Sequence, residues 1–271
     1  MNLGHLFQKS VRPKSSLPFP LTDLQLCVID NRNTLRLVDN WIDDNAFKNS
    51  FFNYGVPDFI KVHINKAIDE SLTYTDYLLF MGKKYFSDLN YLEIGVSVGK
   101  NFYQMINGIN NAQFTGFDIE EINPIIENKL DFINKTEWET FEESLKTNKS
   151  SLSTFSKIGK KVNYLSADIW DSNSWSKLTG NKFNLIFSDA LHTPEAIFFE
   201  CEMLMKYKLL DSKFIIMWDD LIGEMKDSFF KIVKKYKKAY QIKEVYLLTT
   251  NGWVGEHESK HQIGVISNFK F

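Results

Sequence analysis

The fold is decided by one stretch of the chain, which reads Tyr91-Leu92-Glu93-Ile94-Gly95-Val96-Ser97-Val98-Gly99-Lys100-Asn101. It opens on a short apolar run that favours a buried β-strand, and two glycines follow. A strand, a glycine-bearing loop and the first turn of a helix let the backbone approach a ligand closely, with N–H groups pointing outward. The glycine spacing is G-x-x-x-G rather than the G-x-G-x-x-G of dinucleotide sites, which argues against a nicotinamide cofactor.

Apolar runs recur after this strand and alternate with stretches that favour helix, such as 101–109 and 195–207. Alternation of this kind is typical of an α/β fold with a doubly wound, mostly parallel sheet. Runs at 245–250 and 262–267 predict a closing antiparallel ribbon, and therefore a seven-stranded sheet with an antiparallel last strand. The five runs that predict the earlier strands are 91–95, 114–119, 162–165, 183–188 and 214–218.

The chain is expected to form one structural domain in two parts. Residues 1–88 predict an N-terminal arm, rich in proline, and a helical cap with helical periodicity over 22–42 and 58–86. Residues 89–271 predict the sheet-containing core. A polar segment at about 121–160 is longer than an ordinary crossover and is interpreted as an insertion, either a solvated helix and loop or a cover for a substrate or a neighbouring subunit.

Composition limits the function. The 271 residues include 32 Lys and Arg against 34 Asp and Glu, so we expect no nucleic-acid partner. The two cysteines, Cys27 and Cys201, lie far apart, which excludes a zinc ribbon and favours a reducing cytoplasm over a disulfide framework. We find no apolar run long enough to cross a membrane and expect no membrane partner. A homo-oligomer is left open, because the proline-rich arm could reach a neighbouring subunit.

Three acids follow or end successive predicted strands, each where a ligand could contact it. Glu93 suits a ligand that carries its own cation, since a buried carboxylate needs a positive partner. Asp118, preferred over Glu120, lies where a carboxylate can accept hydrogen bonds from both hydroxyls of a ribose. Asp168 and the apolar Ile169 suit the amine and the ring face of an adenine. Each acid alone is as often a helix cap or a turn residue, so their order along the chain carries the hypothesis.

That ordered set resembles the class I S-adenosylmethionine-dependent methyltransferases, whose first motif is an E/D-x-G-x-G-x-G loop followed by acids after the next two strands. The resemblance covers roughly residues 70–271, and Ser97 replaces the central glycine of the motif. It implies a Rossmann-like sheet and S-adenosylmethionine as the methyl donor. The residues expected to contact the donor are Glu93, Gly95, Ser97, Gly99, Asn101, Asp118, Ile119, Asp168, Ile169 and Asp189.

A second polar group follows the fourth and fifth strands of the predicted sheet. It consists of Asp189, His192, Asp219 and Asp220. Because the carboxyl ends of parallel strands meet at one edge, we expect these side chains to converge there. Three carboxylates repel one another unless they are protonated or neutralised, and a hard divalent cation is the simplest neutraliser. The sequence therefore predicts a divalent metal ion at Asp189, Asp219 and Asp220, and Mg²⁺ is the expected ion.

This second group is similar to the metal-dependent O-methyltransferases of the catechol and macrolide-sugar types, and Asp189-x-x-His192 is closest to the sugar-modifying branch. By that resemblance His192 is the general base, with Asp189 beside it, and the substrate is a small molecule with a hydroxyl group, such as a vicinal diol on a sugar or a catechol. Trp218 and Trp253 are candidates to line the acceptor pocket. His257 and His261 are interpreted as surface residues of a loop rather than as a second metal site, although that loop could still border the substrate.

Other functions stay open at this point. One is a class I methyltransferase that needs no metal, and another is an aminopropyltransferase-like enzyme, which uses a related sulfonium donor. A third is a non-catalytic relative that keeps the donor pocket for structure or partner binding. Taken singly, Asp219 and Asp220 could also be a helix cap and a surface acid, and His192 could be a histidine at a helix start with no catalytic role.

Overall fold

The computed structural model describes residues 13–39, 71–139, 150–252 and 260–271. Seven helices lie in these ranges, and the longest, α1, ends at the edge of the first range. In chain order the helices are α1 (Leu21–Asp39), α2 (Tyr74–Tyr85), α3 (Lys100–Gly108), α4 (Pro124–Glu127), α5 (Ser172–Ser176), α6 (Pro194–Lys206) and α7 (Glu224–Tyr236).

Nine strands in the same ranges form one sheet, with the spatial order β3-β4-β5-β2-β1-β6-β7-β9-β8. Strands β1, β2, β5, β6 and β7 pair in parallel, while β4 and β9 run against their neighbours. The strands are β1 (Leu89–Ile94), β2 (Ala112–Asp118), β3 (Asp131–Trp138), β4 (Ser150–Lys157), β5 (Lys160–Ser166), β6 (Phe183–Ser188), β7 (Leu210–Trp218), β8 (Glu244–Thr250) and β9 (His261–Ser267).

The predicted fold class is confirmed: the chain is an α/β protein with a large, mostly parallel sheet flanked by helices. The antiparallel strand β9 lies between β7 and β8, as the closing ribbon predicted. Successive residues of β1 face opposite sides of the sheet, since Tyr91 belongs to the core under α2 and α3 while Leu92 belongs to the core under α6 and α7. The two helix layers therefore cover both faces.

The sheet has two more strands than predicted, because the described parts of the segment at 121–160 contain strands as well as the short helix α4. It forms the antiparallel pair β3 and β4, which extends the sheet beyond β5. Every residue of β3 before Trp138 is exposed, and the buried residues of β4 are Ser150, Ser151, Ser153 and Phe155. Residues 140–149, which include most of the polar stretch 146–151, lie outside the described residues.

The two described helices of the N-terminal cap, α1 and α2, are joined by capping and by ion pairing at Asp76. Helix α2 begins after Thr73, whose side chain accepts a hydrogen bond from the backbone of Asp76, while the Asp76 carboxylate accepts one from the backbone of Thr73. Arg32 of α1 donates two hydrogen bonds to the same carboxylate, at 2.7 and 3.0 Å. Residues 58–70 of the predicted second helix lie outside the described ranges.

The described part of the proline-rich arm lies on its own chain rather than away from it. Lys14 forms a parallel bridge with Tyr246 of β8, through hydrogen bonds to the backbone of Val245 and Leu247, and its ammonium pairs with Glu244. The described part of the arm is thus joined to β8 at Lys14, and residues 1–12 lie outside the described residues. No helix among the described residues combines the length and apolar character needed to span a membrane.

Candidate functional site

The loop after β1 takes a backbone shape that glycine favours. Gly95 and Gly99 have φ angles of 84° and 82°, and Ser97, at the position of a third glycine, also has a positive φ of 51°. A Cβ atom on Gly95 would lie 2.3 Å from the carbonyl oxygen of Asp189, a backbone atom. The loop after β1 and the loop after β6 therefore approach each other as closely as a residue without a side chain allows.

Asp118, the acid at the end of β2, holds this loop. One of its carboxylate oxygens accepts hydrogen bonds from the backbone N–H groups of Val96 and Ser97, both at 2.7 Å, and the other accepts one from Glu120 at 2.9 Å. Asp118, which was predicted to contact the ligand, therefore lies against the loop after β1, as expected. The same contacts give it a second task, because they fix the loop conformation before any ligand is bound.

Glu93 lies beneath the loop in a buried polar network. Its carboxylate accepts hydrogen bonds from the hydroxyl of Tyr91 at 2.6 Å and from the side-chain amide of Asn101 at 2.8 Å, and Asn101 in turn accepts one from Thr75 at 2.8 Å. Glu93 is only 2% exposed, and its burial, opposed by these hydrogen bonds, raises its pKa to about 8. A cationic ligand group in the cleft would stabilise its charged form.

The residues that were predicted to contact an adenine differ in how far they are exposed. Asp168 is half-buried, and its carboxylate accepts a hydrogen bond from the backbone N–H of Trp170 at 2.9 Å. The backbone N–H of Ala167 donates to the backbone carbonyl of Asp118 at 2.7 Å. Ile169 is buried in the core under α6, whereas Ile119 is 54% exposed. An apolar ring face at this edge would therefore meet Ile119 more readily than Ile169.

The acids and imidazoles after β6 and β7 form a continuous chain of contacts. His192 places Nε2 at 3.1 Å from Asp189 and Nδ1 at 3.3 Å from Asp220. His261 places Nδ1 at 2.8 Å from Asp219 and at 3.4 Å from Asp220. We call these five residues, Asp189, His192, Asp219, Asp220 and His261, the acid–imidazole cluster. It confirms the expected convergence of the two strand ends.

His261 is the residue of this cluster whose interpretation from sequence was wrong. It was expected to be a surface residue, yet it is the first residue of β9 and lies beside Asp219, which is 3% exposed. Because β9 runs antiparallel to β7, its beginning lies at the edge where the parallel strands end. The predicted strand at 262–267 began one residue too late to reveal this. His257, which was interpreted together with His261, lies outside the described residues.

Burial and mutual repulsion change the protonation of the cluster. Burial, together with the charge of Asp219, raises the pKa of Asp189 to about 7, and burial also raises the pKa of Asp219. The hydrogen bond to His261 lowers the pKa of Asp220. Burial alone would lower the pKa of His261, but its bonds to Asp219 and Asp220 raise it to about 10. The imidazole of His261 thus neutralises part of the charge of Asp219 and Asp220.

The cleft of about 290 Å³ at this edge joins the loop to the cluster. Tyr74, at the start of α2, adds its ring, which packs edge-on against His261 with 5.6 Å between ring centroids. Trp218, a predicted wall of the acceptor pocket, is instead buried in the core against Phe229, and Trp253 lies outside the described residues. The lining residues are Tyr74, Glu93, Gly95, Val96, Ser97, Val98, Lys100, Asn101, Asp189, Ala190, His192, Asp219, Asp220 and His261.

The cluster has the donor atoms that a divalent cation requires. Asp219, Asp220 and His261 each offer one ligand atom, and the three atoms lie within 4.8 Å of one another. Two carboxylate oxygens and one imidazole nitrogen fit a metal ion. Asp189, the third predicted ligand, is linked to this group through His192.

Comparisons with known proteins return structural similarity alone. No family model matches the chain, and no curated protein matches it by sequence. An O-methyltransferase from Bacillus cereus in complex with SAH is 16% identical, with 85% of this chain and 97% of that one covered and a TM-score of 0.44. The N-methyltransferase NodS from Bradyrhizobium japonicum, also in complex with SAH, is 12% identical, with coverages of 84% and 90% and a TM-score of 0.42.

A third solved structure is the plantazolicin methyltransferase BpumL in complex with SAH. It is 13% identical, with 92% of this chain and 99% of that one covered and a TM-score of 0.44. At such low identity these proteins are what the chain is similar to in overall architecture. We therefore base the function on the chain's own residues.

Proposed function

We propose that the protein is an S-adenosylmethionine-dependent O-methyltransferase that acts on a hydroxyl group of a small molecule, assisted by a divalent metal ion. The observation that carries the proposal is one cleft that joins the loop of Gly95, Ser97 and Gly99 to the acid–imidazole cluster. The loop supplies a place for the donor, and the cluster supplies a base and acids at the point where the acceptor must lie.

The donor half of the proposal rests on charge and on backbone shape. Glu93 is a buried acid in the cleft wall, and the α-ammonium group of S-adenosylmethionine supplies the cation that such an acid lacks. The close approach of Gly95 to the backbone of Asp189 and the positive φ of Ser97 fix the loop in the wall of the cleft. Asp118 and Asp168, at the neighbouring strand ends, are proposed for the ribose and the adenine amine, and Ile119 and Ile169 for the adenine ring.

The reaction half assigns His192 as the general base. Its Nε2 lies 3.1 Å from Asp189, so the carboxylate can orient the ring and stabilise its protonated form. The acceptor hydroxyl transfers its proton to His192 as its oxygen attacks the methyl carbon. One carbon–oxygen bond forms while the carbon–sulfur bond of the donor breaks, and the products are a methyl ether and S-adenosylhomocysteine. The cleft contributes by holding the two reactants in line.

The metal of the proposal is a divalent ion such as Mg²⁺, with Asp189, Asp219 and Asp220 as the expected ligands. When bound, such an ion acts as a Lewis acid on the substrate oxygen and lowers the pKa of its hydroxyl. A substrate with two adjacent hydroxyl groups, on a sugar or a catechol-like ring, would offer it two oxygens. We expect the enzyme to act in the cytoplasm, without a nucleic-acid or membrane partner.

Methyl transfer tests the proposal directly. The purified protein is incubated with S-adenosylmethionine labelled in its methyl group and with a panel of catechols and sugars, and the products are analysed by mass spectrometry. We expect an O-methyl ether of at least one diol. Chelation with EDTA should abolish the transfer and Mg²⁺ should restore it, and Asp219→Ala should remove the dependence together with most of the turnover.

The alternatives give different results in the same assay. Turnover that EDTA leaves unchanged identifies a metal-independent methyltransferase. Release of methylthioadenosine from decarboxylated S-adenosylmethionine identifies aminopropyl transfer. Binding of S-adenosylhomocysteine without transfer to any acceptor in the panel favours a non-catalytic relative. The three results contradict, in turn, the metal ion, the transferred methyl group and the catalytic activity of the proposal.

A further inference from the structure

We infer that His261 is a metal ligand, and that Asp219, Asp220 and His261 form a mixed oxygen and nitrogen site that prefers a transition-metal ion such as Co²⁺ or Mn²⁺ to Mg²⁺. Asp189 and His192 are then free to act as the acid–base pair. The inference rests on the proposed function, since it concerns the metal of the same cleft. It replaces one ligand of the expected set and changes the class of ion.

The geometry selects this group of three. Its ligand atoms lie within 4.8 Å of one another, with two carboxylates from the end of β7 and an imidazole from the start of β9. Those two positions are brought together by the antiparallel pairing of β7 with β9, in which Trp218 lies opposite Gly264 and the backbone of Leu221 donates to that of Gln262 at 2.9 Å. The site therefore lies at the ends of two hydrogen-bonded strands: Asp219 and Asp220 directly follow β7, and His261 is the first residue of β9. The pairing of the two strands fixes the distance between these positions.

The imidazole is also held in place from its side. The ring of Tyr74 contacts His261 edge-on, and Tyr74 itself is 5% exposed. Asp219 is 3% exposed, and its Oδ1 accepts a hydrogen bond from the backbone of Asp220 at 2.7 Å. Ligands that are oriented before the ion arrives lose little conformational entropy on binding it.

The donor atoms determine the ion. Mg²⁺ is bound almost always through oxygen ligands and water, whereas imidazole nitrogen suits later divalent metals. Affinity for a mixed nitrogen and oxygen site rises from Mn²⁺ to Co²⁺ along the first transition row. A site with one imidazole among its three protein ligands should therefore bind Co²⁺ more tightly than Mg²⁺.

His192 provides the matched control. It is an imidazole of the same cleft and also contacts Asp220, at 3.3 Å, but it lies outside the group of three. Metal-stripped wild-type protein, His261→Gln and His192→Gln are each titrated with Co²⁺ and with Mg²⁺ by calorimetry, and the visible absorption of bound Co²⁺ is recorded. Circular dichroism and a titration with S-adenosylhomocysteine are measured on the same samples.

We expect wild-type protein to bind Co²⁺ at least about tenfold more tightly than Mg²⁺. His261→Gln should lose roughly 10- to 100-fold in Co²⁺ affinity and shift the visible band, with a much smaller change for Mg²⁺. His192→Gln should keep both the affinity and the band. The inference is overturned if His261→Gln binds Co²⁺ like wild type, or if the two variants lose affinity equally.

A second measurement does not depend on the His261 variant folding. Pulsed electron paramagnetic resonance of Mn²⁺ bound to His192→Gln should show coupling to an imidazole nitrogen, and its absence overturns the inference. Failure of the proposed function looks different: protein that fails to bind S-adenosylhomocysteine but shows the nitrogen coupling has the metal site without the donor site. Protein that binds S-adenosylhomocysteine but shows no nitrogen coupling has the donor site, and His261 is then not a metal ligand.

Discussion

Asp76 and Asp219 are both almost fully buried, at 0% and 3% exposure, yet their partners differ in kind. Asp76 receives two hydrogen bonds from Arg32, one from Asn31 and one from the backbone of Thr73, so a permanent cation and neutral donors satisfy it. Asp219 is paired with His261, whose charge depends on pH, and it lines the cleft. A closed site stabilises the fold, whereas an open one with titratable partners is suited to chemistry.

Removing the partner of Asp76 and removing the partner of Asp219 should therefore change different properties of the protein. Loss of the guanidinium at Asp76 leaves an uncompensated buried charge, which destabilises the folded state. Loss of an imidazole from the cleft leaves carboxylates that water, a proton or a metal ion can still reach. The first change should therefore affect stability, and the second should affect turnover.

The largest effect is expected at His192. In His192→Ala the turnover of the diol found in the methyl-transfer assay should fall by about 10²- to 10⁴-fold, because the general base is lost. The affinity for S-adenosylhomocysteine and the melting temperature should stay close to those of wild type. Steady-state kinetics, calorimetry and thermal unfolding measure the three quantities. A turnover that falls by less than about tenfold would show that His192 is not the base.

The next effect is expected at Arg32. Arg32→Met should lower the free energy of unfolding in urea by about 3–5 kcal/mol, because Asp76 then keeps a buried charge without its cation. The control is Lys83→Met, which removes an exposed ion pair between the same two helices, with 3.9 Å between Lys83 and Asp30. That change should cost less than about 1 kcal/mol. Equal losses in the two variants would contradict the comparison.

A smaller effect is expected from pH at Glu93. Its pKa in the folded protein is raised to about 8 from an ordinary 4.5, so the folded state keeps a proton that the unfolded chain releases between these values. The resulting stability is complete below pH 4.5 and is lost as the pH rises towards 8. Between pH 6 and 7 the wild type should lose about 1 kcal/mol more than Glu93→Gln. Urea unfolding at both pH values measures the difference.

The other raised carboxyl groups, such as Asp189, titrate in both proteins of that pair and cancel in the difference. Parallel pH slopes for wild type and Glu93→Gln would show that Glu93 is already ionised at pH 6. The buried network of Tyr91 and Asn101 would then be strong enough to stabilise the charge without a ligand.

The parallel core was predictable from the sequence because its strands are buried on both faces. A strand such as 183–188 then has a mostly apolar sequence, interrupted at Asn184, and its bounds were predicted to the residue. The loop of Gly95 and Gly99 was predictable for a related reason, since a positive φ and a close backbone approach restrict the residue type. Both signals are local in the chain.

The missed features depend on contacts far apart in the chain. Strand β3 is an edge strand, exposed throughout except at Trp138, so its composition is that of a polar surface segment. His261 joins Asp219 across 42 positions of sequence through the pairing of β7 with β9. The sequence signal that could have found it is the orientation of the last strand, because an antiparallel strand must begin at the edge where the parallel strands end.

The cleft beside Gly95 is the proposed binding site of the methyl donor, and both the base and the metal ion contribute to methyl transfer only with a donor bound there. Calorimetric titration with S-adenosylhomocysteine of wild type, Gly95→Ala and Gly159→Ala tests it. Gly159 has a similar φ of 77°, but a Cβ there meets no atom within 4 Å, so it controls for backbone strain. We expect saturable one-to-one binding to wild type and Gly159→Ala and a loss of at least about tenfold in Gly95→Ala, since its Cβ would displace the loop. Wild-type protein that binds no S-adenosylhomocysteine, or Gly95→Ala that binds it as wild type does, would contradict the account.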